Sequence, residues 1–137
     1  MAVTLIDSLS TLWLMGMQKE FAEATKWLED HPLPKSAMGR GSHSVFEITI
    51  RVLGGLLSAH SLSGKEVFLS NAQRVADVVL NAYKTESGLP MAEIDVRSGR
   101  ATKHTWVSHA ILAEVATVQV ELNYLSHATG DEKYKEA

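Results

Sequence analysis

Two charged side chains, Glu47 and Arg51, stand four residues apart in an otherwise apolar stretch of this 137-residue chain. On a helix that spacing puts both on one face. From Ser44 to Ser58, eight of the fifteen positions are Val, Ile, Leu or Phe, spread round the helical circumference. Such a helix is buried on most sides. Its charged face continues through Gly54, Gly55 and Ser58, which leaves a narrow polar seam. An unpaired carboxylate taken out of water is costly, so charge here is either paired or used in chemistry. The pair is then an intrahelical ion pair, or part of a polar cavity lined by the inner faces of several helices.

The surrounding elements must position that seam. Apolar residues recurring at three and four (Leu5, Ile6, Leu9, Leu12, Trp13, Met15) predict a helix from about Leu5 to Gly16, with Asp7, Ser8, Ser10 and Thr11 on its polar side. Gly16 is its stop. An amphipathic helix follows from about Lys19 to Asp30, and Pro32, Pro34, Gly39 and Gly41 then make a loop. Beyond the central helix, His60 to Gly64 reads as a short connection into a helix from about Lys65 to Tyr83. A turn at Ser87–Pro90 precedes an alternating segment, so a short extended hairpin is expected near 88–99. The last full helix is expected from about Val107 to His127, with Glu114, Thr117 and Glu121 on one face.

Bulk properties narrow the function classes. The 13 basic and 16 acidic residues give a net charge of -3 with no basic cluster, so no electrostatic footprint for nucleic acid exists. No apolar run approaches the roughly 18 residues of a membrane span, which places any membrane attachment in segments outside this chain. There is no cysteine, hence no disulfide or thiolate site, and the six histidines lack zinc spacing. No calcium loop of the D-x-[DN]-x-[DN]-G kind occurs. Residues 1–137 read as one partial domain, cut at both ends.

A weak repeat joins these elements. His60-Ser61-Leu62-Ser63-Gly64-Lys65-Glu66-Val67-Phe68 aligns with Ser126-His127-Ala128-Thr129-Gly130-Asp131-Glu132-Lys133-Tyr134. Each segment links a mostly buried helix to an amphipathic one, and Glu47 and Glu114 sit at similar depth in the two buried helices. Alternation of that kind predicts an all-α fold of two concentric helical rings, an α/α toroid, of which this chain supplies about two and a half helix pairs.

Three segments, Thr4–Gly16, Ser44–His60 and Ala113–Leu122, resemble in order and spacing the class I α-1,2-mannosidases of glycoside hydrolase family 47. The resemblance runs through the whole chain and matches the amino-terminal third or so of that family's catalytic domain, an (α/α)7 barrel. It implies an inverting, Ca²⁺-dependent glycosidase that trims terminal α-1,2-linked mannose from N-linked high-mannose glycans in the endoplasmic reticulum or Golgi. By the same resemblance Glu47 is the general acid, acting through a water, and Arg51 binds substrate beside it. Glu114 lines the sugar site, and Asp7 is an acidic residue on the first inner helix. An inverting glycosidase needs two carboxyl groups spaced to admit a water. The implied general base and the threonine that holds Ca²⁺ both lie outside this chain, which therefore contains no metal ligand and is not expected to turn over alone.

Ser10 and Ala92 depart from the family pattern, which has an acid at the first position and often a serine at the second. Two further readings stand beside the enzyme: a non-catalytic mannosidase-like protein that binds glycans in glycoprotein quality control, and a helical scaffold in which Glu47 and Arg51 merely pair. Against the scaffold stands the presence of Asp7, Glu47, Arg51 and Glu114 together on expected inner helices.

Overall fold

The computed structural model describes residues 2–34, 39, 41–107 and 109–137. Its first helical stretch is two short helices, α1 (Val3–Asp7) and α2 (Leu9–Leu14). The turn between them falls at Ser8, whose hydroxyl donates to the Leu5 carbonyl at 2.9 Å, a local bond that competes with the helical ladder. Gly16 ends the segment with a positive φ of 72°. The amphipathic helix α3 (Gln18–Asp30) buries Phe21, Ala24, Thr25 and Leu28 and leaves its Lys19–Glu23 and Lys26–Asp30 pairs in water. Beyond it, the Leu33 amide donates to the buried Asn71 side chain at 2.9 Å, which ties the chain to a helix thirty-eight residues on.

The central helix is longer than its sequence pattern predicts and is not uniform. It runs Val45–Ser63, with α4 (Val45–Glu47), a π-helical segment (Ile48–Leu53) and α5 (Gly54–Ser63) in series. The expected connection at His60–Ser63 is its last turn, and Gly64 closes it at φ 67°. Within the π segment the Gly54 amide reaches back five residues to the Thr49 carbonyl. The Thr49 hydroxyl meanwhile donates to the Val45 carbonyl at 2.8 Å, competing for the acceptor that a regular α-turn would give to the Thr49 amide. At 19 residues and a mean hydropathy of 1.3, Val45–Ser63 is long and apolar enough to cross a membrane, contrary to the sequence reading. Its apolar side is nevertheless the core of this fold: Val45, Ile48, Val52, Leu53, Leu56, Leu57 and Ala59 are buried against the neighbouring helices.

Helix α6 (Glu66–Val79), continued by a 3₁₀ turn at Leu80–Tyr83, packs Phe68, Ala72, Val75, Ala76 and Val79 on α5. Phe21 joins α3 to this core, with ring centroids 5.0 Å from Trp13 and 5.5 Å from Phe68. Full burial of each large apolar side chain here contributes about 1.5–3 kcal/mol before the entropy of ordering is charged against it.

The expected hairpin near 88–99 is one part of a three-stranded antiparallel sheet, β1 (Ser42–Ser44), β2 (Glu93–Asp95) and β3 (Ala101–Thr102), in the order β1-β2-β3. Ile94, fully buried, pairs with His43 on one side and Ala101 on the other. Ser42–Ser44 lacks the apolar alternation that marks a strand, so pairing with a distant segment decides its conformation.

The expected helix at 107–127 is also corrected. Among the described residues of that range only α7 (Leu112–Val115) and α8 (Gln119–Thr129) are helical, and α7 has no fully buried residue. Leu112 and Val120 are more than two-thirds exposed and find nothing to pack against among the described residues, whereas Val118, Leu122 and Leu125 are buried, so the apolar surface is not held along one continuous helix. The repeat is visible in space: Gly64 and Gly130 both end their helices at positive φ, each with its amide 2.8 Å from the carbonyl four residues back. Phe68 and Tyr134, equivalent in the repeat, are both fully buried.

Candidate functional site

Glu47 is set by the junction of sheet and helix. β1 ends at Ser44, whose side chain caps the helix by accepting the Glu47 amide at 3.2 Å, and the Val45 amide donates to the Ala92 carbonyl at 2.9 Å. The π segment follows at once, and single-turn π distortions of this kind recur at functional sites. Arg51 lies inside it. Its Nε donates to Glu47 Oε2, and its Nη1 donates to Asp7 Oδ2 at 3.3 Å. One guanidinium thus joins a carboxylate from its own helix to one from α1. All three side chains are about half exposed, at 46% for Arg51, 49% for Glu47 and 45% for Asp7.

That exposure corrects one expectation. Glu47 and Arg51 lie on the open side of a helix that is buried elsewhere, Gly55 included, so these charges keep water and can meet a ligand. The hydrogen bonds to Glu47 and then to Asp7 raise the Arg51 guanidinium above its already high pKa, which makes it a permanent cation. Two hollows flank it. One, of about 420 Å³, is lined by Val3, Thr4, Asp7, Ser8 and Arg51; the other, of about 410 Å³, has Ser42, His43, Ser44, Glu47 and Arg51 among its lining. A fixed cation between two carboxylates can hold a hydroxyl-rich ligand and present a carboxyl group to it.

Glu114 is not part of that cluster. It sits on α7, and its Oε2 accepts a hydrogen bond from His104 Nε2 at 2.9 Å. Both line a larger cleft of about 580 Å³, which Phe46, the neighbour of Glu47, also lines. Sequence reasoning missed His104, because ten residues and no shared periodicity separate it from Glu114. The one available signal was the close spacing of His104 and Trp106, whose rings pack 4.8 Å apart.

Glu121, expected on the same face as Glu114, faces elsewhere. It lies on α8 against Gly54, where an added Cβ would be 3.6 Å from its Cγ. Its Oε2 and the Tyr83 hydroxyl are both buried without a hydrogen-bond partner among the described residues. Burial raises the Glu121 carboxyl above its ordinary pKa, and burial with the Glu121 charge pushes the Tyr83 hydroxyl up to about 12.

The described residues contain no group of three or more carboxylates and imidazoles able to hold a metal. Calcium takes six to eight oxygen ligands, and the described residues offer no carboxylate cluster around which such a cage would form.

Comparison with known proteins decides the family. The family model for glycosyl hydrolase family 47 matches residues 1–137. The chain belongs to glycosyl hydrolase family 47. The human endoplasmic reticulum mannosyl-oligosaccharide 1,2-alpha-mannosidase is 39% identical to this family member over 137 residues, covering 100% of this chain and 19% of the human protein. The human mannosyl-oligosaccharide 1,2-alpha-mannosidase IB is 40% identical over 136 residues, covering 98% of this chain and 21% of that protein. Among solved structures, the alpha-1,2-mannosidase from Trichoderma reesei superposes with a TM-score of 0.81 at 27% identity, covering 96% of this chain and 29% of that one. The helices described above, with their small sheet, are therefore part of the (α/α)7 barrel of the family. The chain spans about a fifth of the length of the curated relatives it matches.

Proposed function

We propose that this chain supplies the acid side of the active site of an inverting α-1,2-mannosidase, which trims terminal α-1,2-linked mannose from N-linked high-mannose glycans in the endoplasmic reticulum or Golgi. Glu47 is the general acid, reaching the leaving oxygen through a water. Arg51 and Asp7 bind substrate and fix Glu47, and Glu114 lines the sugar site. The observation that carries this reading is the Arg51 fork, which gathers Glu47 and Asp7 from positions forty apart in sequence into one solvent-reachable cluster. A scaffold ion pair needs only the intrahelical partner. The second catalytic carboxyl group, which inversion places about 6.5–9.5 Å from the first, comes from outside these residues. So do the calcium ligands.

The test is a chimera in which these 137 residues replace the matched segment of the human endoplasmic reticulum relative. Mannose release from a high-mannose glycan is expected, with loss on EDTA treatment and a fall of about a thousandfold in kcat for Glu47→Gln. A folded chimera that binds the glycan and releases no mannose would make the chain part of a glycan-binding relative instead.

A further inference from the structure

Both edges of the three-stranded sheet lead to carboxylates of the proposed site. β1 runs directly into the turn that carries Glu47, whose amide is capped by the last residue of that strand. On the other edge, β3 is followed after one residue by His104, which grips Glu114. The central strand is locked into the core by Ile94. Neighbouring strands lie about 4.8 Å apart, so the sheet is a ruler between the two branches.

The Glu114 branch depends on that ruler. Helix α7 is four residues long and has no fully buried residue, so no core side chain of its own fixes the carboxylate. His104 does. Its side chain is only 7% exposed, it packs on Trp106 with ring centroids 4.8 Å apart, and its Nε2 is 2.9 Å from Glu114 Oε2. A carboxylate is an acceptor only, so Nε2 carries the proton in this contact.

We propose that His104 is a positioning residue for the mannosidase site: it transmits the sheet's geometry to Glu114 and so sets the carboxylate's place in the cleft beside Phe46. The inference rests on the proposed function, since it gives Glu114 a task to be positioned for. In this role His104 acts through Glu114 and does not touch the reacting atoms.

The experiment compares His104→Ala, His104→Gln, Glu114→Ala and the His104/Glu114 double variant in the mannosidase chimera described above. Gln presents an N–H donor near the place of Nε2. His104→Ala is expected to raise KM about tenfold with a smaller change in kcat, and His104→Gln to recover most of that loss. In the Glu114→Ala background His104→Ala should add little, because the two residues act as one unit. Independent, additive effects, or a Gln variant no better than Ala, would overturn the proposal. If the unmodified chimera releases no mannose, the mannosidase reading fails on its own account. The positioning claim is then decided by side-chain nitrogen NMR of His104, whose Nε2 resonance must move in Glu114→Ala; an unmoved resonance overturns it.

Discussion

A Cβ on Gly55 would stand 2.8 Å from the carbonyl oxygen of Ile6 and 3.2 Å from its carbonyl carbon. Backbone cannot rotate aside, so the close crossing of α1 and α5 requires a glycine. That crossing also carries Asp7, the next residue along, to Arg51. Gly55→Ala is expected to cost about 1–3 kcal/mol in urea denaturation and to weaken the Asp7–Arg51 contact with it. Gly54→Ala is the control: its Cβ would meet Glu121 and the Thr49 carbonyl at 3.6–3.7 Å, ordinary contact distances. Equal losses in the two variants would show that the Ile6 crossing is not what the glycine serves.

Arg51 uses two different nitrogens on two different carboxylates. Lysine offers one ammonium and no fork, so Arg51→Lys keeps the charge and loses the geometry. Because the three side chains are half exposed, stability should change little. Mannose release by the chimera should fall about a hundredfold, close to the loss in Arg51→Ala. An Arg51→Lys variant with near-normal kcat/KM would mean that charge alone suffices.

The helices that pack through one regular stripe were legible in the sequence, and those that depend on distant partners were not. Gln18–Asp30 and Glu66–Val79 match their expected spans within a residue or so at the starts, because Phe21, Leu28, Phe68 and Val75 repeat at helical spacing and the opposite faces are charged. Asp7, Glu47 and Arg51 were each visible as polar residues on apolar helices. Their meeting was not, since it depends on how α1 crosses the central helix. The π segment carries no compositional mark, and Ser42–Ser44 is a strand only because Glu93–Asp95 lies beside it. The break between α7 and α8 has no glycine or proline to announce it.

Tyr83 and Glu121 make a specific alkaline prediction. The Tyr83 hydroxyl is pushed up to about 12 from an ordinary 10, first by burial and then by the Glu121 charge. The folded state therefore holds that proton more tightly than the unfolded state. Its contribution to stability is fully present below pH 10 and is lost as pH rises through about 12. Tyr83→Phe should remove this part of the alkaline loss. It should also leave stability at pH 8 unchanged or higher by about 1 kcal/mol, because the buried hydroxyl has no partner among the described residues. Urea midpoints across that pH range give the answer, and an undiminished alkaline loss in Tyr83→Phe would assign it to other groups.

The last turn of the chain is anchored through one aromatic side chain. Tyr134 is fully buried, and its hydroxyl donates to Asp77 Oδ1 at 3.1 Å, while Lys133 lies 3.0 Å from Asp77 and 3.1 Å from Asp131. Removing the ring should therefore cost far more than removing the hydroxyl: about 3–5 kcal/mol for Tyr134→Ala against about 1 kcal/mol for Tyr134→Phe. The charges around it act at acid pH. Lys133 holds the Asp131 carboxyl below its ordinary value, chiefly through the hydrogen bond from its amide and then through its side chain. A depressed carboxyl contributes stability above its unfolded value of 3.8 and loses it as pH falls through the folded value. Asp131→Asn should blunt the acid loss below about pH 4 without changing the penalty of Tyr134→Ala at pH 7. If instead Asp131→Asn reproduces the Tyr134→Ala loss at pH 7, the anchor is the charge cluster and not the buried ring.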